Sequence, residues 1–151
     1  MNARHTMVAA LIAAVVALTG AVVLASVAAA KHAATKQRVA IAAKLYPEGT
    51  FVFTPLTAGP LKRDSGTARF DAGTFTFKGK RGTLTIRELR EEWVNCGNEE
   101  FNGVIPAVDI GPWNVVRGTG QYKGVTGSGH STQAGLGNQW YARQTGFLTT
   151  P

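Results

Sequence analysis

The feature that most constrains the fold of this chain is a regular alternation of apolar and polar residues between glycine-containing breaks, which begins near residue 50. Phe75 and Phe77 alternate with threonine and lysine, and Leu84 and Ile86 alternate with threonine and arginine. A period of two places every second side chain on one face of an extended strand. The pattern therefore predicts β-strands that each bury one face.

Segments of this kind recur at intervals of roughly ten residues, the spacing expected of an all-β sandwich or barrel. The predicted strands lie at 51–53, 68–70, 74–78, 83–87, 101–105, 113–117, 128–134 and 139–148. The clearest breaks, at 71–73, 78–82 and 95–98, contain glycine, which suits tight turns. We predict one all-β domain over residues 50–151, and closure into a barrel would remove its exposed edges.

The first thirty residues have a different composition, which is that of a secretory signal. Arg4 precedes an apolar run from residue 6 to residue 30 that contains no charged side chain. Ala28 and Ala30 form an A-x-A pattern, so we predict cleavage after Ala30 and a mature chain that begins at Lys31. The predicted location is therefore outside the cell or in its envelope.

The alternative for this segment is an uncleaved helical membrane anchor. An apolar run of ~20 residues can span a bilayer, whereas the apolar core of a signal usually has ~7–15 residues. Contact with a membrane would then be made only through residues 7–30. The basic residues from Lys31 to Lys44 favour a cytoplasmic position for the downstream side. The orientation of such an anchor stays open.

Residues 31–49 are basic and rich in alanine, and they end at Pro47, Glu48 and Gly49. We predict a basic linker here, either a short helix or a stalk, with little order before Tyr46. All but one of the 16 Lys and Arg residues lie after residue 30, together with all nine Asp and Glu residues. Because these charges are spread along the chain, they favour a soluble basic surface, and no nucleic-acid partner is expected.

A glycine-dense segment over residues 118–129 is the most distinctive motif of the chain. Its spacing differs from that of a phosphate loop, a dinucleotide fingerprint and a nucleophile elbow. We predict a tight connection between strands, with positive φ at Gly120 or Gly124 and with Tyr122 and Val125 turned back into the core. The structural glycines of this turn would be Gly118, Gly120, Gly124, Gly127 and Gly129.

The stretch Trp-Asn-Val-Val-Arg at 113–117, followed by Gly-Thr-Gly-x-Tyr-x-Gly-x-x-Gly-x-Gly, resembles the allene oxide cyclase and dirigent barrel superfamily. The hairpin at 73–77 and 82–86 is similar to that of small exported bacterial proteins thought to share this barrel. The resemblance covers residues 50–149 and implies an eight-stranded antiparallel barrel with an apolar cavity. It implies no catalytic residue, because the pocket residues of the plant enzymes have no counterparts that can be placed on this chain.

The densest charge cluster lies at residues 87–93. If the strand that contains Ile86 continued in register, Glu88 and Glu92 would face the interior and would be weak catalytic candidates. A bulge near Arg87 would turn both carboxylates outward and would place Leu89 and Trp93 inside. We expect the outward arrangement, because charged side chains are seldom buried.

Aromatic side chains are the candidates for lining a cavity, although in a small barrel they often fill the core. They are Trp93, Trp113, Tyr122, Trp140 and Tyr141. No histidine spacing suits a metal, and no cofactor is expected. Cys96 is the single cysteine, so an intramolecular disulfide cannot form.

Three functions follow from these patterns. The first is non-catalytic binding of a small apolar molecule or of a partner. The second is an isomerase or cyclase of the allene oxide cyclase type, which would position a reactive substrate in a dry cavity. The third is an interaction with a cell-envelope component through the basic surface. Two or more convergent polar groups in a cavity would favour the enzyme, and a filled barrel would favour surface binding. The oligomeric state is not predicted.

N-terminal sequencing of the exported protein tests the processing site. We expect the mature chain to begin at or near Lys31, because Ala28 and Ala30 satisfy the small-residue rule. Recovery of the intact residues 1–30 in a membrane fraction would replace secretion with anchoring.

Overall fold

The computed structural model of the chain describes residues 33–46, 49–89, 92–95, 107–136 and 139–151. These residues belong to one compact unit, Ala33–Pro151. The predicted signal or anchor segment, Cys96 and the predicted strand at 101–105 lie outside the described residues. No helix in the described part is long and apolar enough to cross a membrane.

Antiparallel strands account for most of the described residues. They are β1 (Thr35–Lys44), β2 (Thr50–Pro55), β3 (Asp64–Asp71), β4 (Thr74–Gly79), β5 (Gly82–Glu88), β6 (Glu92–Asn95), β7 (Ala107–Gly118), β8 (Thr126–Leu136) and β9 (Gln139–Thr150). A short 3-10 turn, Gly120–Tyr122, connects β7 to β8.

The sheet closes on itself. Strands β1 to β5 pair in sequence, β5 pairs with β7, β7 with β8, β8 with β9, and β9 returns to β1. Strand β6 pairs with the first residues of β7, on the same side of β7 as β5, and so continues β5 along the ring. The predicted all-β fold is confirmed as a closed eight-stranded antiparallel barrel. Closure leaves the eight ring strands with partners on both sides, which removes the edges that would otherwise invite aggregation.

The core of the barrel is formed by the apolar side chains that alternate along the strands. On β4, Phe75 and Phe77 are fully buried, and on β5 the same holds for Leu84 and Ile86. The remaining core includes Val39, Ile41, Phe51, Phe53, Leu61, Trp113, Tyr122 and Leu148. Since these core residues come from all the ring strands except β8, the core depends on closure.

The predicted linker at 31–49 is wrong over most of its length. Strand β1 occupies Thr35–Lys44 and pairs with both β2 and β9. Its inward residues include Val39 and Ile41, but its outward residues include Ala40 and Ala42, where a polar residue would normally mark the alternation. Because alanine stands on both faces, the period of two is hidden and the segment resembles a short helix.

We call the end of the barrel that holds the 3-10 turn the closed end. There Asp64, at the start of β3, is almost fully buried. Its Oδ1 accepts hydrogen bonds from the backbone N–H groups of Ser65 and Lys80 at 2.9 and 3.0 Å. Its Oδ2 accepts from the Arg81 N–H at 3.2 Å and from the Tyr122 hydroxyl at 3.3 Å. The carboxylate thus joins β3, the β4–β5 turn and the 3-10 turn.

Tyr122 fills the closed end, as the glycine-dense segment predicted. Its ring is fully buried and contacts Phe53 edge-on at a centroid distance of 5.4 Å. Burial raises the pKa of its hydroxyl above the ordinary value, and the nearby Asp64 carboxylate acts in the same direction. The hydroxyl therefore stays protonated and donates to Asp64. Val125 is also buried, as predicted.

A second contact closes the same end from the β2–β3 loop. The Gln37 amide donates to the carbonyl groups of Thr57 and Leu61 at 2.9 and 3.1 Å. Its Oε1 accepts from the Leu61 N–H at 3.0 Å. These three bonds hold the loop against β1 and place the Leu61 side chain in the core.

The predicted positive φ angles are confirmed at Gly120 (58°) and Gly124 (73°). Gly127 and Gly129, which were assigned to the turn, lie within β8 instead. Gly129 serves a different purpose, because a Cβ there would stand 2.6 Å from the ring of Trp113. Its neighbour on β9, Gly146, makes the same close approach. The two glycines therefore make room for the indole ring.

Alanine substitutions should separate backbone strain from steric conflict at this turn. Gly124→Ala should lower the free energy of unfolding by about 1–2 kcal/mol, the cost of a left-handed conformation with a Cβ. Gly120→Ala should lower it by about 2–4 kcal/mol, because its Cβ would also lie 2.1 Å from the Arg81 carbonyl oxygen. Urea denaturation measures both values. Equal losses, or none, would contradict this account of the turn.

Candidate functional site

Polar side chains collect inside the barrel at its other end, which we call the open end. Glu88 lies at the end of β5, Asp109 near the start of β7 and Gln133 near the end of β8. Because neighbouring strands are antiparallel, these positions meet at one end of the ring. All three side chains are buried.

One amide group joins the two carboxyl groups. The Gln133 Nε2 donates to Asp109 Oδ2 at 2.9 Å and to Glu88 Oε2 and Oε1 at 3.1 and 3.2 Å. Gln133 and Asp109 are direct cross-strand partners. Buried carboxyl groups require donors to offset their desolvation, and an amide nitrogen has two hydrogens to provide. Gln133 therefore holds the acidic pair in a fixed position.

A second pair of buried polar side chains lies further into the barrel, on the side of the acidic pair that faces the closed end. The Gln144 amide donates to Ser131 Oγ at 3.3 Å, and both residues are fully buried. Gln144 Oε1 and Trp113 Nε1 have no hydrogen-bond partner within the described part of the chain. Buried polar atoms of this kind are rare in native proteins and commonly bind water or a ligand. The polar interior therefore extends from the acidic pair towards the middle of the barrel.

The opposite wall of the interior is apolar. Strand β1 contributes Ile41, Ala43 and Leu45 at or next to its end, and Phe51 and Phe75 extend this wall across β2 and β4. The interior of the open half thus has a polar side, formed by β5, β7, β8 and β9, and an apolar side, formed by β1 to β4. A bound molecule would meet both.

A pocket of about 230 Å³ opens at this end. Its lining residues are Leu45, Tyr46, Phe70, Gln133 and Trp140. Gln133 connects the pocket directly to the acidic pair. Pockets for drug-sized ligands usually measure ~300–1,000 Å³, so this one fits a small molecule or one portion of a longer molecule.

The predicted orientation of the acidic cluster is wrong for its first member. Glu88 is 7% exposed and shares the interior with Ile86. The irregularity between β5 and β7 falls at Thr85–Ile86, before Glu88, so the strand continues and keeps the carboxylate inside. Leu89, expected inside, is 58% exposed. Glu92 is exposed, in agreement with the prediction.

The aromatic residues predicted to line a cavity lie in different parts of the barrel. Trp140 lines the pocket, whereas Trp113 and Tyr122 are fully buried in the core. Tyr141 is 49% exposed on the outer face of β9, so its assignment to a cavity is wrong. The side chain of Trp93 lies outside the described residues.

Asp109 and Gln133 were missed by the sequence analysis. A signal for Asp109 existed, because it stands four residues before Trp113 on the same strand and therefore on the same face. Among the described residues, no group of three or more His, Cys, Asp or Glu side chains could hold a metal ion.

Comparisons with known proteins found no relative of this chain. No family model matches it, and no match was found among curated proteins or solved structures. The closed eight-stranded barrel is therefore established by the structure, while the resemblance to the allene oxide cyclase and dirigent superfamily stays a prediction.

The role of Gln133 can be measured by replacing it with leucine. Gln133→Leu should lower the free energy of unfolding by about 1–3 kcal/mol, because the acidic pair loses a shared buried donor. The matched control is Gln139→Leu at the exposed start of β9, where the change should stay within about 0.5 kcal/mol. Similar values for the two variants would show that the shared amide bond adds no stability.

Proposed function

We propose that this barrel binds a small, mainly apolar molecule that carries one hydrogen-bonding group, in the pocket at the open end. The observation that carries the proposal is the joining of an apolar pocket to the acidic pair through Gln133. Ligand sites typically combine apolar walls with a few convergent polar atoms.

The apolar walls would provide most of the affinity. Leu45, Phe70 and Trp140 offer aliphatic and aromatic surface, and burial of apolar area is worth ~25 cal/mol per Å². The polar floor would orient the ligand. The Gln133 nitrogen already donates hydrogen bonds to both carboxyl groups. The amide oxygen of Gln133 would therefore accept a hydrogen bond from an O–H or N–H group of the ligand.

Matched ligand pairs test this proposal. Menthol and its parent hydrocarbon p-menthane differ by one hydroxyl group, and Trp140 in the pocket wall should report binding through its fluorescence. We expect the alcohol to bind about 3- to 10-fold more tightly, the contribution of one hydrogen bond. Gln133→Leu should remove this preference.

The control for the reporter is Trp140→Phe, which should abolish the fluorescence change while calorimetry still detects binding. If neither method finds saturable binding of any member of a broader panel of small terpenoids and fatty acids, the pocket does not bind apolar ligands.

A second function, an isomerase or cyclase of the allene oxide cyclase type, is supported by the acidic pair itself. Glu88 and Asp109 both lie within 3.2 Å of one nitrogen atom. Two close carboxyl groups can share one proton, so one group can donate a proton to a substrate oxygen while the other accepts one from the substrate. The pair would return to its starting charge after each turnover.

Turnover of an unsaturated epoxide distinguishes this enzyme from a binding protein. Glu88→Gln should abolish turnover and retain binding, whereas Glu92→Gln, which changes an exposed carboxylate, should leave turnover unchanged. Binding without turnover in the unmodified protein would leave the first function in place and remove the second.

A further inference from the structure

The closed end of the barrel carries a dense set of exposed cations. They lie on the start of β1, in the β2–β3 loop, on and around the β4–β5 turn, at the end of β7 and after the 3-10 turn. They are Lys36, Arg38, Lys62, Arg63, Lys78, Lys80, Arg81, Arg117 and Lys123. Residues that are spread along the sequence are therefore gathered at one end by the fold.

The carboxylates of the described residues do not balance this charge. Asp64 lies at the closed end, but it is buried and bound by its hydrogen-bond donors. The other four are Asp71, Glu88, Glu92 and Asp109, and they belong to the open end. The closed end is thus far more basic than the overall charge of +7 suggests.

Exposed apolar side chains stand among these cations. Phe147 is 44% exposed and faces Arg38 across the β1–β9 ladder, and the Lys36 Nζ lies 4.5 Å from the centre of its ring. On the other side of Arg38, the N–H of Leu56 donates to the Arg38 carbonyl, and Leu56 is 47% exposed. Apolar and basic side chains therefore occupy one continuous surface over β9, β1 and the β2–β3 loop.

We propose that the closed end docks on an anionic membrane surface. Its cations would bind lipid phosphates, while Phe147 and Leu56 would enter the interfacial layer. A surface for single-stranded nucleic acid would carry several aromatic platforms for bases, and exposed leucine would add nothing to the binding of duplex DNA or of an acidic polysaccharide. The apolar run at 6–30 ends four residues before β1, so a retained anchor would also keep this end near a bilayer.

This proposal departs from the prediction made from the sequence, in which membrane contact is made only through residues 7–30. It is independent of the ligand pocket, which lies at the opposite end. The chain from Lys31 is suited to the test, because the closed barrel and its described core lie within Ala33–Pro151. Circular dichroism establishes first that this chain is folded.

Cosedimentation with vesicles measures the docking. We expect binding to vesicles of phosphatidylglycerol in phosphatidylcholine, no binding to pure phosphatidylcholine, and release when salt rises from ~0.1 M to ~1 M. The double variant Lys36→Gln, Arg38→Gln should bind about 25-fold more weakly, at about fivefold per cation. The matched control is the double variant Lys44→Gln, Arg143→Gln. It removes two positive charges as well, but from the parts of β1 and β9 that lie towards the open end, so it should change vesicle binding little.

Two further results decide between lipid and other polyanions. Leu56→Ser should weaken binding to the anionic vesicles and should not affect binding to duplex DNA or dextran sulfate. The proposal would be overturned if the protein bound either polymer as tightly as it binds the vesicles and if Leu56→Ser did not change that binding. Equal losses in the two double variants, or no vesicle binding at low salt, would also overturn it. Thermal unfolding of each variant confirms that a loss of binding is not a loss of fold.

Discussion

The closed end of this barrel depends on the hydrogen bonds of the buried Asp64 carboxylate. By accepting backbone hydrogen bonds from the β4–β5 turn and the hydroxyl of Tyr122, it fastens the 3-10 turn across one end of the ring. Gly79 is required beside it, because a Cβ there would stand 2.2 Å from Asp64 Oδ2. Lys80 and Arg81, whose backbone N–H groups bind this carboxylate, have exposed side chains that add to the basic surface.

At the end opposite to this seal, buried polar side chains lie beside a pocket. Trp113, which lies across Gly129 and Gly146, fills the middle of the barrel and separates the closed end from the acidic pair. The free energy gained from the apolar core offsets the cost of burying the Glu88 and Asp109 carboxyl groups at the open end. Departures of this kind from an apolar core are typical of functional sites.

The parts of this structure that the sequence predicts are those governed by local periodicity. Strands β4 and β5 alternate clearly, and the glycine-dense turn requires positive φ, so both were correctly located. Strand β1 was missed because alanines on its outer face hide the alternation. The bond between Asp64 and Tyr122 joins residues 58 positions apart, and no local pattern records it. The orientation of Glu88 depended on where one bulge falls, which periodicity leaves open.

The distance between the two ends makes their proposed functions electrostatically independent. A strand of 10 residues, such as β1, rises ~3.3 Å per residue and tilts by ~35–45° in a barrel, which gives a height of about 25 Å. Screening in physiological salt acts over ~8 Å. The cations of the closed end therefore exert little influence on the acidic pair. If the closed end rests on a membrane, the pocket faces the aqueous side, and a ligand can enter it without disturbing the docked surface.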